Sequence, residues 1–293
     1  MKKQQFGRTG LMISPVVYGA IIHMNETPET TKAYIAEAID RGVNYFDVAP
    51  SYGNAQALMG PAIEPYRNDI VLACKTTERT AEGSRKELLG SLEALHTDHF
   101  DVYQIHSLTT MAEVDTIFGP GGAMETFLWA REQGLVRYIG MSVHNEKAAL
   151  KAMELFDFDS ILFPMNWALG LTTGWGDAIA EKAAESNKGL LAMKTLAHRT
   201  WREGEAKRYP KSWCRPLDTE GDDVAIALAA MKYGFSKGAH TLIPPGDIDH
   251  YRFMLDHIDE VLENPLTAED LALLTREAEL VKDETIFKPA QMS

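Results

Sequence analysis

The chain has 293 residues, 45% of them apolar and 24% charged, with a formal net charge of −13. That length suits one large α/β barrel or two smaller domains, and the acidic balance disfavours nucleic acid as the main partner. No apolar stretch approaches a membrane span, and the basic start Met1-Lys2-Lys3 leads into no signal-peptide core. Cys74 and Cys214 show neither metal-ligand nor CxxC spacing, so a cytoplasmic protein with reduced thiols and no metal site is expected.

In chain order, residues 4–15 read as a β-hairpin turning at Thr9-Gly10. Eight short apolar runs then recur at fairly even spacing: Val16-Tyr18, Tyr45-Asp47, Val71-Lys75, Val102-His106, Tyr138-Ser142, Ser160-Phe163, Leu190-Lys194 and Thr241-Ile243. Helical periodicity separates them. After the first run Tyr34, Ile35, Ala38 and Ile39 share a face, with Thr27 as N-cap, Pro28 at the first helical position and Gly42 at the end. After the third, Leu88, Leu89, Leu92 and Leu95 share another. Nearly continuous apolar strands alternating with helices indicate a parallel sheet covered on both faces. Eight such units in this length predict an α/β fold of the (β/α)8 TIM-barrel type. No linker composition divides it, so residues 1–293 are read as a single domain with the hairpin plugging the barrel floor. Residues 267–283 predict an additional C-terminal helix, capped by Thr267 with Asp270 three residues later and with Leu271, Leu274, Ala278 and Val281 on one face.

Four polar residues interrupt or close these runs. Asp47 closes Asn44-Tyr45-Phe46-Asp47, Tyr52 follows in the turn Ala49-Pro50-Ser51-Tyr52-Gly53, Lys75 closes its run, and His106 closes Asp101-Val102-Tyr103-Gln104-Ile105-His106. Each alone is ordinary: a cap, a turn aromatic, a bonded histidine. Together they stand at the C-terminal ends of their elements, where a barrel keeps its chemistry. Strand parity turns Val71, Ala73 and Lys75 inward, as it does Val102, Gln104 and His106, and small Ala73 leaves room below the lysine. A buried ammonium needs a counterion, which Asp47 can supply. A cation near Tyr52 should lower its phenol below the free value of about 10, making it a proton donor. His106 can hold a substrate oxygen.

This arrangement resembles the aldo-keto reductases. Phe46-Asp47-Val48-Ala49-Pro50-Ser51-Tyr52-Gly53 is similar to the first signature of that family, and Lys75 and the run ending at His106 match its next two tetrad positions. The likeness runs from about residue 4 to residue 285. It implies a (β/α)8 barrel with a nicotinamide cofactor, Tyr52 as general acid, Lys75 tuning it, Asp47 paired with Lys75, and His106 orienting the carbonyl.

For the cofactor, the resemblance implies that Ser142 bonds the nicotinamide carboxamide, although Val143 and His144 stand where an asparagine is usual. Leu162 replaces the usual glutamine, with Asn166 placed to compensate. Met193-Lys194-Thr195-Leu196 is similar to a bacterial branch in which Met193 packs on the ring and Lys194 reaches a phosphate. Ile243-Pro244-Pro245-Gly246 resembles the exit to an adenosine-binding turn, with Pro245 and Gly246 at a helix N-terminus that would receive phosphate. Arg252 matches an arginine on the adenosine phosphate, and Asp256 stands where an asparagine reads adenine. Asp247 and Asp249 favour NADH, whereas Arg252 favours NADPH, and the balance leans slightly to NADP(H).

The loop 197–222 is long and irregular, with Arg199, Arg202, Lys207, Arg208, Lys211 and Arg215 against Glu203 and Glu205. It reads either as a flap over phosphate or an anionic substrate, or as a solvated loop. His23, Met24, Trp167 and Trp175 are candidate substrate contacts, and Met111 to Gly122 a candidate lid. The expected activity is NAD(P)H-dependent interconversion of a small aldehyde or ketone and its alcohol. Two alternatives stand beside it: a cofactor-binding, redox-sensing regulatory protein with little turnover, and a barrel enzyme forming a Schiff base at Lys75. The sequence assigns no oligomeric state.

Overall fold

The computed structural model describes residues 1–288. Eight strands form one parallel sheet: β1 (Tyr18–Gly19), β2 (Tyr45–Asp47), β3 (Val71–Thr76), β4 (Phe100–Leu108), β5 (Val136–Val143), β6 (Ser160–Pro164), β7 (Gly189–Met193) and β8 (Thr241–Ile243). They pair in sequence order. The sheet closes on itself through a bridge from Val16 to Leu242, where Val17 N donates to Leu242 O and Leu242 N to Pro15 O, both at 3.0 Å. This is the predicted barrel.

Eleven helices are described: α1 (Pro28–Asp40), α2 (Ala55–Ile63), α3 (Ala81–Ala94), α4 (Met111–Phe118), α5 (Ala123–Glu132), α6 (Glu146–Leu155), α7 (Trp167–Thr173), α8 (Asp177–Glu185), α9 (Asp223–Ser236), α10 (Ile248–Glu263) and α11 (Ala268–Val281). Thr27 caps α1 by accepting from Thr30 N, with Pro28 inside the first turn. Thr267 and Asp270 form the expected capping box of α11, the additional C-terminal helix. On α3, Leu88, Leu92 and the following Leu95 are buried, but Leu89 points out to solvent, one step beyond the inner stripe.

The hairpin pairs Gln4–Gln5 with Met12–Ile13 and turns through Gly10, whose φ of 75° suits glycine. It carries Phe6 into the barrel, where the ring meets Tyr45 edge-on at 5.8 Å among Ile13, Val17, Val71, Val102 and Leu191. A Cβ on Gly189 would lie 2.4 Å from the Phe6 ring, so that strand position is glycine by steric need. The floor is thus filled with apolar side chains. What remains open is the end where the strands finish. Among the described residues no helix is long and apolar enough to cross a membrane.

Candidate active site

Lys75 and Asp47 lie inside the open end, both almost wholly buried. The ammonium bonds Asp47 Oδ1 and reaches Val48 O at 3.3 Å. Burial works most strongly against the lysine's charge, but Asp47, with Tyr52 and Cys74 adding to it, tips the balance and the Lys75 pKa is raised. A lysine that keeps its proton and is fully enclosed is a poor nucleophile toward a carbonyl, which argues against the Schiff-base alternative.

Tyr52 stands over this pair, its ring centroid 5.2 Å from Lys75 Nζ and 5.6 Å from the His106 ring, which it meets edge-on. The expected lowering of the Tyr52 pKa is not found. Burial raises it, and Lys75 pulls it down by less because Asp47 cancels part of the lysine's field. Tyr52 is therefore a neutral phenol that keeps its proton for donation.

His106 does not end β4. The strand continues to Leu108 past an irregularity between Ile105 and Leu108, where Ser107 takes a left-handed φ of 54°. Such a bulge re-aims a side chain beside a site. Arg79 fixes it by donating to His106 O at 2.8 Å and Ser107 O at 3.3 Å while paired with Glu113. Burial, then Lys75, Arg79 and Lys194, lower the His106 pKa to about 3, so the ring is neutral. Its Nδ1 lies 3.3 Å from Ser51 Oγ.

These groups face a cavity of about 280 Å³. Asp47, Tyr52 and His106 form its polar end, and Ile21, Leu162, Met193, Trp213 and Ile243 supply apolar wall. Ser142, His144, Lys194, Pro245 and Gly246 also line it, as the sequence led us to expect. Lys194 follows β7 with a left-handed φ of 63°, and its side chain reaches His144 beyond the end of β5. Its Nζ lies 3.4 Å from His144 Nε2 and from Met193 Sδ, and 5.2 and 5.6 Å from the rings of Trp213 and Phe287. Burial lowers the Lys194 pKa to about 8, with Cys214 opposing, and pushes His144 well below its ordinary value.

The strap 197–216 crosses the mouth and contributes Ala197, Lys211, Ser212, Trp213, Cys214 and Pro216 to the cavity. Sequence reasoning singled out none of Ser212, Trp213 and Cys214 as lining residues. Lys211 tethers the strap, donating to Ile22 O and Glu26 Oε1, both at 2.7 Å. The four arginines of this loop are paired with acids and do not line the cavity: Arg199 with Glu205, Arg202 with Glu284, Arg208 with Glu220 and Arg215 with Asp218.

Several expected contacts lie elsewhere. His23 is buried, with Nδ1 2.9 Å from Tyr18 Oη and Nε2 3.0 Å from Ala55 O. Met24 packs near Gly53, outside the cavity wall. Trp167 is buried against His198, and Trp175 packs on Phe163 and donates to Pro164 O at 3.2 Å. Asn166 is spent on the backbone, capping α7 and donating to Lys194 O and Ala197 O. Thr195 and Leu196 point into packed interior. The segment after β4 is no lid: α4 is pinned by its Thr110–Glu113 capping box, and none of its residues lines the cavity.

The adenosine side is also rearranged. Asp247 caps α10, its Oδ1 accepting from Asp249 N and His250 N, so an acid already fills the N-terminus expected to receive phosphate. Arg252 holds Glu37 of α1 through two contacts of 2.9 and 2.7 Å, and Asp256 pairs with Arg41 at 2.7 Å. Among the described residues no group of three or more His, Cys, Asp or Glu could hold a metal.

Met193, Leu162 and Ile21 form an apolar wall, with Ser142 at the end of β5 and the phenol and imidazole also on the lining, so the cavity can take a flat ring on the wall and a small polar molecule at its polar end. Residues 17–244 match the family model described as Aldo/keto reductase family. "Uncharacterized oxidoreductase YqkF" of Bacillus subtilis is 33% identical over 158 residues, covering 48% of this chain and 49% of that protein. The "6-dehydroglucose reductase" of Novosphingobium aromaticivorans is 29% identical over 159 residues, covering 47% and 50%. In these matches the chain spans about half the length of each curated relative. The solved structure of the aldo-keto reductase AKR11C1 from Bacillus halodurans shares the fold with a TM-score of 0.71 at 21% identity, covering 99% of both chains.

Proposed function

The chain belongs to the aldo/keto reductase family, and from that premise we propose that it is an NAD(P)H-dependent oxidoreductase that interconverts a small aldehyde or ketone and its alcohol. One observation carries the reading: a neutral phenol stands above a buried, charge-matched lysine and beside a neutral imidazole, at the polar end of an otherwise apolar cavity. Met193, Leu162 and Ser142 would hold a reduced nicotinamide, whose chemistry would be hydride donation to a carbonyl carbon. Tyr52 donates its proton to the carbonyl oxygen, and the tyrosinate so formed faces Lys75. That is where the ion pair acts: the ammonium stabilises the phenolate after transfer more than the phenol before it. Asp47 holds the ammonium in place. His106 is neutral across the physiological range and can hydrogen-bond the same oxygen without competing for the proton. The apolar wall excludes water from the hydride path.

The donor is proposed to be NADPH slightly ahead of NADH. Arg252 is the cation nearest to the role of reading a 2′-phosphate, but it must leave Glu37 to do so, which keeps the preference small. Fluorescence titration with NADH and NADPH, followed by a panel of carbonyl compounds, tests the reading. We expect saturable binding and carbonyl-dependent consumption of the reduced cofactor. Tight binding with no consumption by any carbonyl would instead support a redox-sensing protein.

A further inference from the structure

The mechanism uses buried Lys75 and leaves half-buried Lys194 unexplained. Lys194 lines the same cavity, and among the described residues no carboxylate lies within ion-pair distance of it. Its neighbours are a neutral imidazole, a thioether, a thiol and two aromatic faces. Rings stabilise a cation, but they do not neutralise it. A largely desolvated ammonium held this way, on a left-handed backbone that a lysine rarely adopts, is a site waiting for an anion.

Which anion follows from where the charge sits. Lys194 leaves β7 and leans away from β8, placing Nζ 3.4 Å from His144 just after β5, and its charge is felt by His106 on β4. In the barrel order β4 and β5 lie across the mouth from β8, whose exit Ile243–Gly246 is the side expected to hold the cofactor's adenosine phosphates. The charge is at the reacting end. The geometry points to Lys194 as a subsite for an anionic group, a carboxylate or a phosphate, on the carbonyl substrate itself, an assignment that rests on the reductase reading of this cavity. Trp213, 53% exposed on the strap, forms the outer wall of that subsite. The lowered pKa agrees, because an arriving anion restores the stability of the charged lysine.

The test compares matched substrates: para-carboxybenzaldehyde against its methyl ester, and glyceraldehyde phosphate against glyceraldehyde. Wild type should favour the anionic member of one pair by about tenfold or more in kcat/KM, mainly through KM, as expected for a charge-assisted contact. The pair with the larger preference identifies the group. Lys194→Met should abolish the preference while NADPH and NADH affinities stay within about twofold, and Lys194→Arg should retain part of it. Equal losses for charged and neutral members, or weakened binding of both cofactors with selectivity unchanged, would overturn the assignment. If Lys194→Met does not fold, the wild-type preference must shrink as ionic strength rises, and a salt-independent one refutes it. If wild type reduces no carbonyl at all, the reductase reading fails by itself. Benzoate and inorganic phosphate, followed by Trp213 fluorescence, then decide: saturable binding lost in Lys194→Met supports the subsite, and no binding refutes it.

Discussion

Lys75, fully buried, and Lys194, half-buried, both stand at the mouth of one barrel, and their surroundings push them in opposite directions. Lys75 has Asp47 against it, and its pKa is raised. Lys194 has only neutral neighbours, and its pKa falls to about 8. Burial disfavours the charge in both, and the Asp47 counterion is the main difference between them. A paired cation is fixed in charge and position and can stabilise a developing phenolate. An unpaired one is available to a ligand.

Breaking the paired side should have the largest effect. Lys75→Met leaves the Asp47 carboxylate buried and uncompensated, and we expect a loss of about 3–5 kcal/mol of stability in urea denaturation. Replacing Asp47 as well, by Leu, should recover part of that loss, because the double variant buries no orphaned charge. A loss that merely adds would show that the two residues are not a functional pair.

The unpaired side should respond with the opposite sign. Lys194→Met removes a charge that the ligand-free protein holds at a cost, so it should stabilise the protein by roughly 1–3 kcal/mol at neutral pH. The pH window follows from the shift. Between about 8 and the unfolded value of 10.5 the unfolded chain holds the proton and the folded one does not, so wild-type stability should rise with pH there. Lys75, raised above 10.5, contributes stability that is complete below that value and is lost only as pH climbs through its higher folded pKa. Thermal unfolding across this range separates the two lysines.

A smaller effect should appear in rates. For an anionic carbonyl, kcat/KM reports the free protein and should fall above pH 8 as Lys194 loses its proton, by roughly tenfold per pH unit. A neutral carbonyl should show no such limb. Of the other cavity groups with shifted pKa values, His106 sits near 3, Cys214 near 11 and Tyr52 above its ordinary value, so none titrates there. The smallest effect belongs to Arg252, whose pairing with Glu37 competes with any phosphate. Arg252→Ala should weaken NADPH by less than about tenfold and leave NADH unchanged, as read by fluorescence titration.

The barrel was legible because its strands are buried on both faces and read as apolar runs. Asp47, Lys75 and His106 stood out as polar residues set against such runs. Contacts between distant segments were not legible. Nothing near Arg252 says that Glu37, 215 positions earlier, will claim it, and His23 looks available until Tyr18 and Ala55 are seen to occupy both ring nitrogens. The tryptophans mislead for a related reason: Trp167 and Trp175 are packing residues, whereas Trp213 in the polar strap reaches the cavity. A usable signal existed there, since Trp213-Cys214 is an apolar pair inside an irregular, charged loop and must cover something. The Tyr52 shift runs opposite to expectation because the sequence shows a cation nearby but not how deeply the phenol is buried, nor that Asp47 offsets part of that cation.

The central claim, that Tyr52 passes its proton to a carbonyl over a charge-matched lysine, is tested most directly by single-turnover consumption of bound reduced cofactor in wild type and Tyr52→Phe. The account predicts a loss of about 10²-fold or more in the observed rate with cofactor affinity unchanged. A Tyr52→Phe protein that consumes the cofactor at the wild-type rate would contradict it.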